Sequence, residues 1–252
     1  MEPTHAQLAG KTALVTGGAH RIGRATVLAL AKQAVNVVIH YNRSHDAADD
    51  VAEQAGRLGV QAWTCQADLS ESVQAQALLE QALGCADQID FLVNSASIFT
   101  DSTLNDVSVD DIMQNIRVNA LAPFVISRGF SSQKHSGAIV NFLDTRVTDY
   151  DSSHYGYHIS KRMFYTMTRT MSLEFAPLVR VNGVAPGLIL PPPGRGPQYL
   201  EALKATNPLQ RVGDVRDITE SVLFLLESEF VTGQVIYVDG GRHLKGSVYA
   251  SG

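Results

Sequence analysis

Cysteine is scarce in this 252-residue chain, with Cys65 and Cys85 alone and twenty residues apart. That spacing makes no CxxC pair and no metal-ligand cluster, which excludes a disulfide-stapled scaffold and a thiolate metal centre. The two residues allow one disulfide or two reduced thiols, and reduced thiols suit a reducing cytosol. Charge is also sparse. Asp, Glu, Lys and Arg make up 18% of the residues, below the usual quarter, so long disordered or coiled-coil stretches are not expected. The formal net charge is −5 and no long basic run occurs, which argues against a nucleic-acid partner. No apolar run approaches the ~20 residues of a membrane helix. Residues 1–10 have neither the basic nor the apolar region of a secretory signal. The expectation is a soluble cytoplasmic protein with no membrane partner and no metal.

What the chain has is 45% apolar residues, ample for a sizeable core. Short β-branched runs alternate with helical stretches. Strands are predicted at 11–16, 36–40, 61–65, 90–94, 138–143, 180–184 and 234–238. Helices are predicted from the first turn to 32, at 46–58, at 70–83 with Ser70 as N-cap, at 157–176 before Pro177, and at 215–226. Two more are expected near 109–118 and 120–128, with Pro123 a mild objection. Strand runs apolar on both faces and separated by helices imply a parallel sheet with right-handed crossovers. Nothing in the composition divides the chain, so residues 1–252 read as one domain. The irregular stretch is 187–198, with Pro191-Pro192-Pro193, at the carboxyl edge of the sheet where such folds bind ligands.

The first strand is followed by Thr16-Gly17-Gly18-Ala19-His20-Arg21-Ile22-Gly23-Arg24. Glycines between a strand and the helix after it let backbone approach a pyrophosphate, and the helix offers free N–H groups to the anion. The usual spacing would place glycine where Arg21 stands. Arginine hinders close approach but adds a cation beside phosphate or substrate. Strand two ends in His40-Tyr41-Asn42-Arg43-Ser44, with no carboxylate before Asp46. Arg43, flanked by the neutral Asn42 and Ser44, suits the 2′-phosphate of NADPH over the 2′-hydroxyl of NADH. A solvated loop arginine is the plainer reading. Asp68-Leu69 follows strand three, where the carboxylate either accepts from an adenine amino group or caps the next helix. Asn94-Ser95-Ala96-Ser97 follows strand four, where small residues let backbone lie against a cofactor.

Tyr157 and Lys161 are four apart at the start of a helix and so share a face. A phenol titrates near ~10, and a neighbouring ammonium is expected to bring it closer to working range. Tyr155 has Ile159 at the same spacing and reads as a packing or rim residue.

Together, the Thr16–Gly23 turn, Asn94–Ser97, Asn119, Tyr157 with Lys161, Pro186-Gly187 and Val238-Asp239-Gly240-Gly241 occur in an order that resembles the short-chain dehydrogenase/reductases over nearly the whole chain. The resemblance implies a doubly wound Rossmann-type α/β sandwich of three layers around a seven-stranded parallel sheet. It implies a proton relay of Asn119, Tyr157 and Lys161, with Tyr157 as proton donor and Lys161 also on the nicotinamide ribose. It implies Gly17, His20, Ile22, Gly23, Ala96, Pro186 and Gly187 among the cofactor contacts, a substrate loop at 187–208, and a homotetramer in which the tail from His243 reaches a neighbouring subunit.

The family usually has a serine about thirteen residues before the tyrosine, and here Asp144 stands in its place. A serine hydroxyl suits a carbonyl oxygen, whereas a carboxyl suits a ring bearing N–H donors. That exchange, with Arg21 in the turn and the His40–Ser44 segment, resembles the pteridine reductases and the related dihydromonapterin reductases. Their pattern implies hydride transfer from NADPH to a pterin or folate, with Asp144 and Tyr157 relaying a proton to ring nitrogen. Phe99 would stack on the pterin, Ser97 would bond its edge, Arg21 would bridge cofactor phosphate and substrate, and Leu188 would line the pocket. Ser95 and Ile98 depart from that pattern. The alternatives are a short-chain reductase of ketones or other carbonyls and a non-catalytic NADPH-binding sensor.

Overall fold

The computed structural model describes residues 8–150 and 152–245. Residues 1–7, part of the stretch read for a signal, and the tail beyond 245 lie outside the described residues. Seven strands form one parallel sheet in the order β3-β2-β1-β4-β5-β6-β7. They are β1 Thr12–Thr16, β2 Asn36–Tyr41, β3 Ala62–Gln66, β4 Phe91–Asn94, β5 Gly137–Phe142, β6 Val179–Pro186 and β7 Val235–Val238. The helices are α1 Arg21–Lys32, α2 His45–Arg57, α3 Ser72–Cys85, α4 Val109–Ile116, α5 Ala122–Ser131, α6 Tyr155–Glu174, α7 Gln198–Leu203, α8 Val215–Glu227 and α9 Arg242–Lys245. This is the doubly wound sandwich the sequence predicts.

Side chains alternate across each strand and supply two cores. Val15, Ile39, Val93 and Val140 pack with Val27 and Leu30 of α1, Val51 of α2 and Ile218 and Val222 of α8. Leu14, Val38, Leu92 and Ile139 pack on the other face with Leu78 of α3, Ile126 and Phe130 of α5 and Phe164 of α6. Burial on both faces is why these strands read as continuous apolar runs.

Two local expectations need correction. Ser70 does not cap α3. Its N–H and Oγ both bond Asp68 Oδ1, at 2.9 and 2.7 Å, a local turn that wins over the helix, which starts at Ser72 after Glu71. The two helices near 109–128 are joined by a π-helical turn, Arg117–Leu121. Pro123 falls in the first turn of α5 beside that widened turn, where its missing N–H does least harm. Residues 187–197 hold no helix or strand, as expected, and α7 with a 3₁₀ turn at Lys204–Thr206 follows them. Both cysteines are free thiols, Cys65 buried and Cys85 half-buried, and burial with Cys85 alongside raises the Cys65 thiol above its ordinary range. Among the described residues no helix is long and apolar enough to cross a membrane.

The order of the strands reverses between β1 and β4, and polar side chains near the ends of β4 and of its neighbour β5 are turned into the protein. Asn94 Nδ2 donates to Asn141 Oδ1 at 2.8 Å and to Ser127 Oγ at 3.1 Å. Asn141 Nδ2 donates to Thr168 Oγ1 at 3.0 Å. All four are buried, so β4, β5, α5 and α6 are held in register by a polar network, in which the Asn94 Oδ1 atom alone has no partner. Replacing Asn141 with leucine takes one acceptor from the Asn94 amide and the donor from Thr168, and is expected to destabilise the fold by about 2 kcal/mol, measured by urea unfolding.

Candidate active site

The turn after β1 is shaped by steric need. Gly17 has φ +64, and a Cβ there would sit 2.9 Å from Ala96 Cα. A Cβ on Gly23 would sit 2.2 Å from the Gly17 carbonyl oxygen, so only glycine lets α1 begin so close to the strand. Arg21 has φ +54, the left-handed region, at the position where glycine is the usual residue. The first helical bond of α1 is from Arg24 N–H to His20 O at 3.0 Å, so the N–H groups of Arg21, Ile22 and Gly23 have no acceptor in the helix. The first turn of α1 carries no acidic residue. The donor set fits an anion.

Two side chains to which the sequence assigned no role of their own hold this turn. Thr16 Oγ1 accepts from Ser95 N–H at 3.0 Å and Ala96 N–H at 3.1 Å, pinning the end of β4 against it. His40 is 2% exposed within β2. Its Nδ1 accepts from Gly17 N–H at 3.0 Å and its Nε2 lies 3.0 Å from the Ala67 carbonyl, which together require the neutral Nε2–H tautomer. Burial lowers its pKa to about 4. The signal was a titratable residue amid the valines and isoleucines of a buried strand.

Beyond β2, Asn42 and Arg43 are exposed, while Tyr41 and Ser44 are half-buried. Asn42 and Arg43 both face Asp68, whose carboxyl is held below its usual range chiefly by the two Ser70 bonds. Leu69 is buried and His20 exposed. At the end of β6, Gly187 donates its N–H to Val238 O at 3.0 Å, and Leu188 is buried against a cavity of about 750 Å³ shared with Leu209, Phe224, Tyr237 and Leu244. Asp144, Tyr157 and Phe99 do not border that cavity.

The residues that the sequence assigns to catalysis meet at the ends of β4 and β5 and the start of α6. Tyr157 Oη donates to Asp144 Oδ2 at 2.9 Å. Asp144 Oδ1 accepts from Arg146 N–H at 2.8 Å, so both carboxyl oxygens are oriented. The next residue, Thr145, bonds the buried Asp239 carboxylate, which also accepts from Gly241 N–H and His243 N–H. Lys161 is 3% exposed, donates to Phe142 O at 2.7 Å and lies 5.8 Å from the centroid of the Tyr157 ring. Burial lowers its pKa to about 8. The expected drop in the phenol pKa is not found. Burial, then the charge and hydrogen bond of Asp144, push Tyr157 well above its ordinary value, so the phenol is a neutral donor.

Asn119 lies in the π-helical turn. Its Oδ1 accepts from Ile98 N–H at 2.8 Å and Ser97 Oγ at 3.1 Å. Its Nδ2 donates to Ile98 O and to Ser160 Oγ, each at 3.0 Å. Ser160 Oγ in turn bonds the Tyr157 carbonyl at 2.6 Å. Asn119 thus clamps the segment that carries Phe99, whose ring meets Tyr157 edge-on at 4.7 Å. Arg21 Nη2 donates to Pro191 O at 2.8 Å and so reaches the proline-rich loop.

A family model described as enoyl-(acyl carrier protein) reductase matches residues 17–243. An uncharacterized oxidoreductase of Methylorubrum extorquens is 32% identical over 244 residues, 93% of this chain and 98% of its own. A 3-oxoacyl-[acyl-carrier-protein] reductase FabG of Staphylococcus epidermidis is 30% identical over 246 residues, 93% and 99% of the two chains. The crystal structure of FolM alternative dihydrofolate reductase 1 from Brucella canis complexed with NADP superposes with a TM-score of 0.88 at 32% identity, covering 97% of this chain and 99% of that one.

The His40 geometry sets a pH dependence. Between pH 6.5 and about 4 the unfolded chain binds a proton that the folded chain refuses. The stability contributed by neutral His40 is therefore complete above pH 6.5 and lost as pH falls towards 4, by about 3 kcal/mol. His40→Gln has a donor and an acceptor but does not titrate, and urea unfolding of that variant should lack this acid-labile component.

Proposed function

The chain belongs to the short-chain dehydrogenase/reductase family, and we propose that it reduces a ring carbon of a pterin at the expense of NADPH, with the dihydrobiopterin, dihydromonapterin and dihydrofolate type as its substrate class. Its activity class is that of an NADP(H)-dependent oxidoreductase, and the cofactor is NADP(H), the ligand of the solved Brucella canis relative. The residues fit that group: unpaired first-turn N–H groups in α1, no acidic side chain beside them, and Arg43 beyond β2 with the nearby Asp68 carboxylate already engaged by Ser70. Gly17 to Gly23 would hold the pyrophosphate, Asn42, Arg43 and Ser44 the 2′-phosphate, and Lys161 the nicotinamide ribose. NADPH, when bound, supplies the hydride.

The observation that carries the substrate reading is the 2.9 Å bond from Tyr157 Oη to Asp144 Oδ2. A hydroxyl in that place would donate to a carbonyl oxygen. A carboxyl accepts from the N–H and amino groups on the edge of a pterin. Tyr157 alone is a reluctant acid, because losing its proton leaves a buried phenolate against Asp144. The step therefore needs both groups: Tyr157 Oη gives its proton to ring nitrogen, and Asp144 takes a proton from solvent and passes it to the phenolate oxygen. Asp144 is only half-buried, so it can be resupplied from solvent. The Lys161 ammonium lies close enough to soften the charge on Tyr157 during transfer. Phe99 supplies a face on which a flat heterocycle can stack, worth roughly 1–3 kcal/mol by analogy with bases on aromatic rings.

A carbonyl substrate is the second reading, favoured by the 3-oxoacyl-[acyl-carrier-protein] reductase among the relatives. The purified protein is expected to oxidise NADPH with dihydrobiopterin, dihydromonapterin or dihydrofolate, and Asp144→Ala to lower kcat/KM by about a hundredfold. Reduction of a 3-oxoacyl thioester with no turnover of any of the three pterins overturns the proposal, and a gain of carbonyl reduction in Asp144→Ser supports it. Pterin reduction should also decline as pH rises through about 8, where Lys161 loses its proton, and Lys161→Arg should move that limb upward.

A further inference from the structure

Phe99 is 44% exposed, yet one of its faces is covered. The His154 ring stacks on it with centroids 4.0 Å apart and planes 19° from parallel. His154 lies just before α6, three residues ahead of Tyr157, with φ +58. Left-handed backbone is strained for a residue with a side chain. The ring is fixed at both nitrogens: Nε2 lies 2.7 Å from Asp101 Oδ1 and Nδ1 lies 3.1 Å from Ser153 Oγ. A neutral imidazole satisfies both, donating to the carboxylate and accepting from the hydroxyl. Its side chain is 15% exposed, while that of Asp101 is 87% exposed. The next backbone N–H, of Tyr155, bonds Ser102 O at 3.2 Å. The segment bearing Phe99 is therefore held on its far side by His154 and Tyr155, as it is held on its near side by Asn119.

We propose that His154 is a positioning residue for the substrate. Its ring, tethered to Asp101, is the rigid backing that fixes the angle at which Phe99 receives a flat nitrogen heterocycle over Tyr157. This rests on the pterin reading. Without the backing, Phe99 would be an exposed ring on a loop, free to rotate, and each binding event would have to immobilise it. The strained backbone fits this role, because it aims the imidazole at Phe99 from a position that α6 otherwise leaves to a cap.

The test compares wild type with His154→Gly, His154→Phe and His154→Gln. Glycine suits the left-handed backbone, so His154→Gly should fold and keep its melting temperature while losing the ring. Dihydrobiopterin binding to the NADP⁺-loaded protein and steady-state KM are read together. His154→Gly should weaken dihydrobiopterin binding and raise its KM by about three- to tenfold, with KM for NADPH unmoved. His154→Phe keeps a ring without the tether and should recover most of the loss, whereas His154→Gln keeps the bond to Asp101 without the ring and should not. Unchanged dihydrobiopterin binding in His154→Gly, recovery by glutamine but not phenylalanine, or a parallel fall in NADPH affinity and melting temperature each overturns the inference. Failure of the wild type to bind dihydrobiopterin instead removes the substrate reading, and this inference with it.

Discussion

The hydrogen bond between the Tyr157 phenol and the Asp144 carboxylate is the constraint on which the site turns. It holds a proton between two buried or half-buried groups, neither of which can act independently of the other. A phenol so placed cannot serve as a base at neutral pH, since burial and the adjacent carboxylate both oppose its ionisation. In the proposed reaction the pair instead acts as a proton relay. Its geometry is fixed from behind: the Arg146 N–H orients Asp144, Asp239 grips Thr145, and Ser160 ties Tyr157 to Asn119.

Around that pair the structure spends its polar side chains on holding backbone segments in place. Thr16 and Asn119 each grip the loop after β4, at different points along it. His40 joins three successive strand ends through two backbone groups. Asn94 and Asn141 fix the sheet beneath. Such bonds are directional, and buried donors and acceptors that lose a partner are penalised, so the carboxyl edge is rigid where a site needs it to be.

Much of this was legible in the chain. Apolar runs of four to six residues, broken by amphipathic stretches, predicted the parallel sheet because burial on both faces leaves no polar alternation. The glycines of the first turn and the Tyr157–Lys161 spacing pointed to the candidate site because steric need and helical periodicity are local properties. What was not legible depended on distance or on backbone angles. His40 looks like one more strand residue, and its partners lie 23 and 27 residues away. The direction of the Tyr157 shift depends on how deeply the ring is buried, which spacing does not report. His154 gives no sign in sequence of its left-handed backbone. Ser70 misled because a hydroxyl ahead of a helix reads as a cap, whereas Asp68 two residues before it offered a closer acceptor.

Arg21 joins parts of the molecule that are otherwise remote. Its backbone forms the bend that begins α1, and its guanidinium holds the carbonyl of Pro191, 170 residues further on. One codon thus sets the shape of the first turn and the resting place of a late loop. A change there cannot retune one without disturbing the other, so this position is a point of pleiotropy. A substitution there is expected to shift the turn and the loop at once.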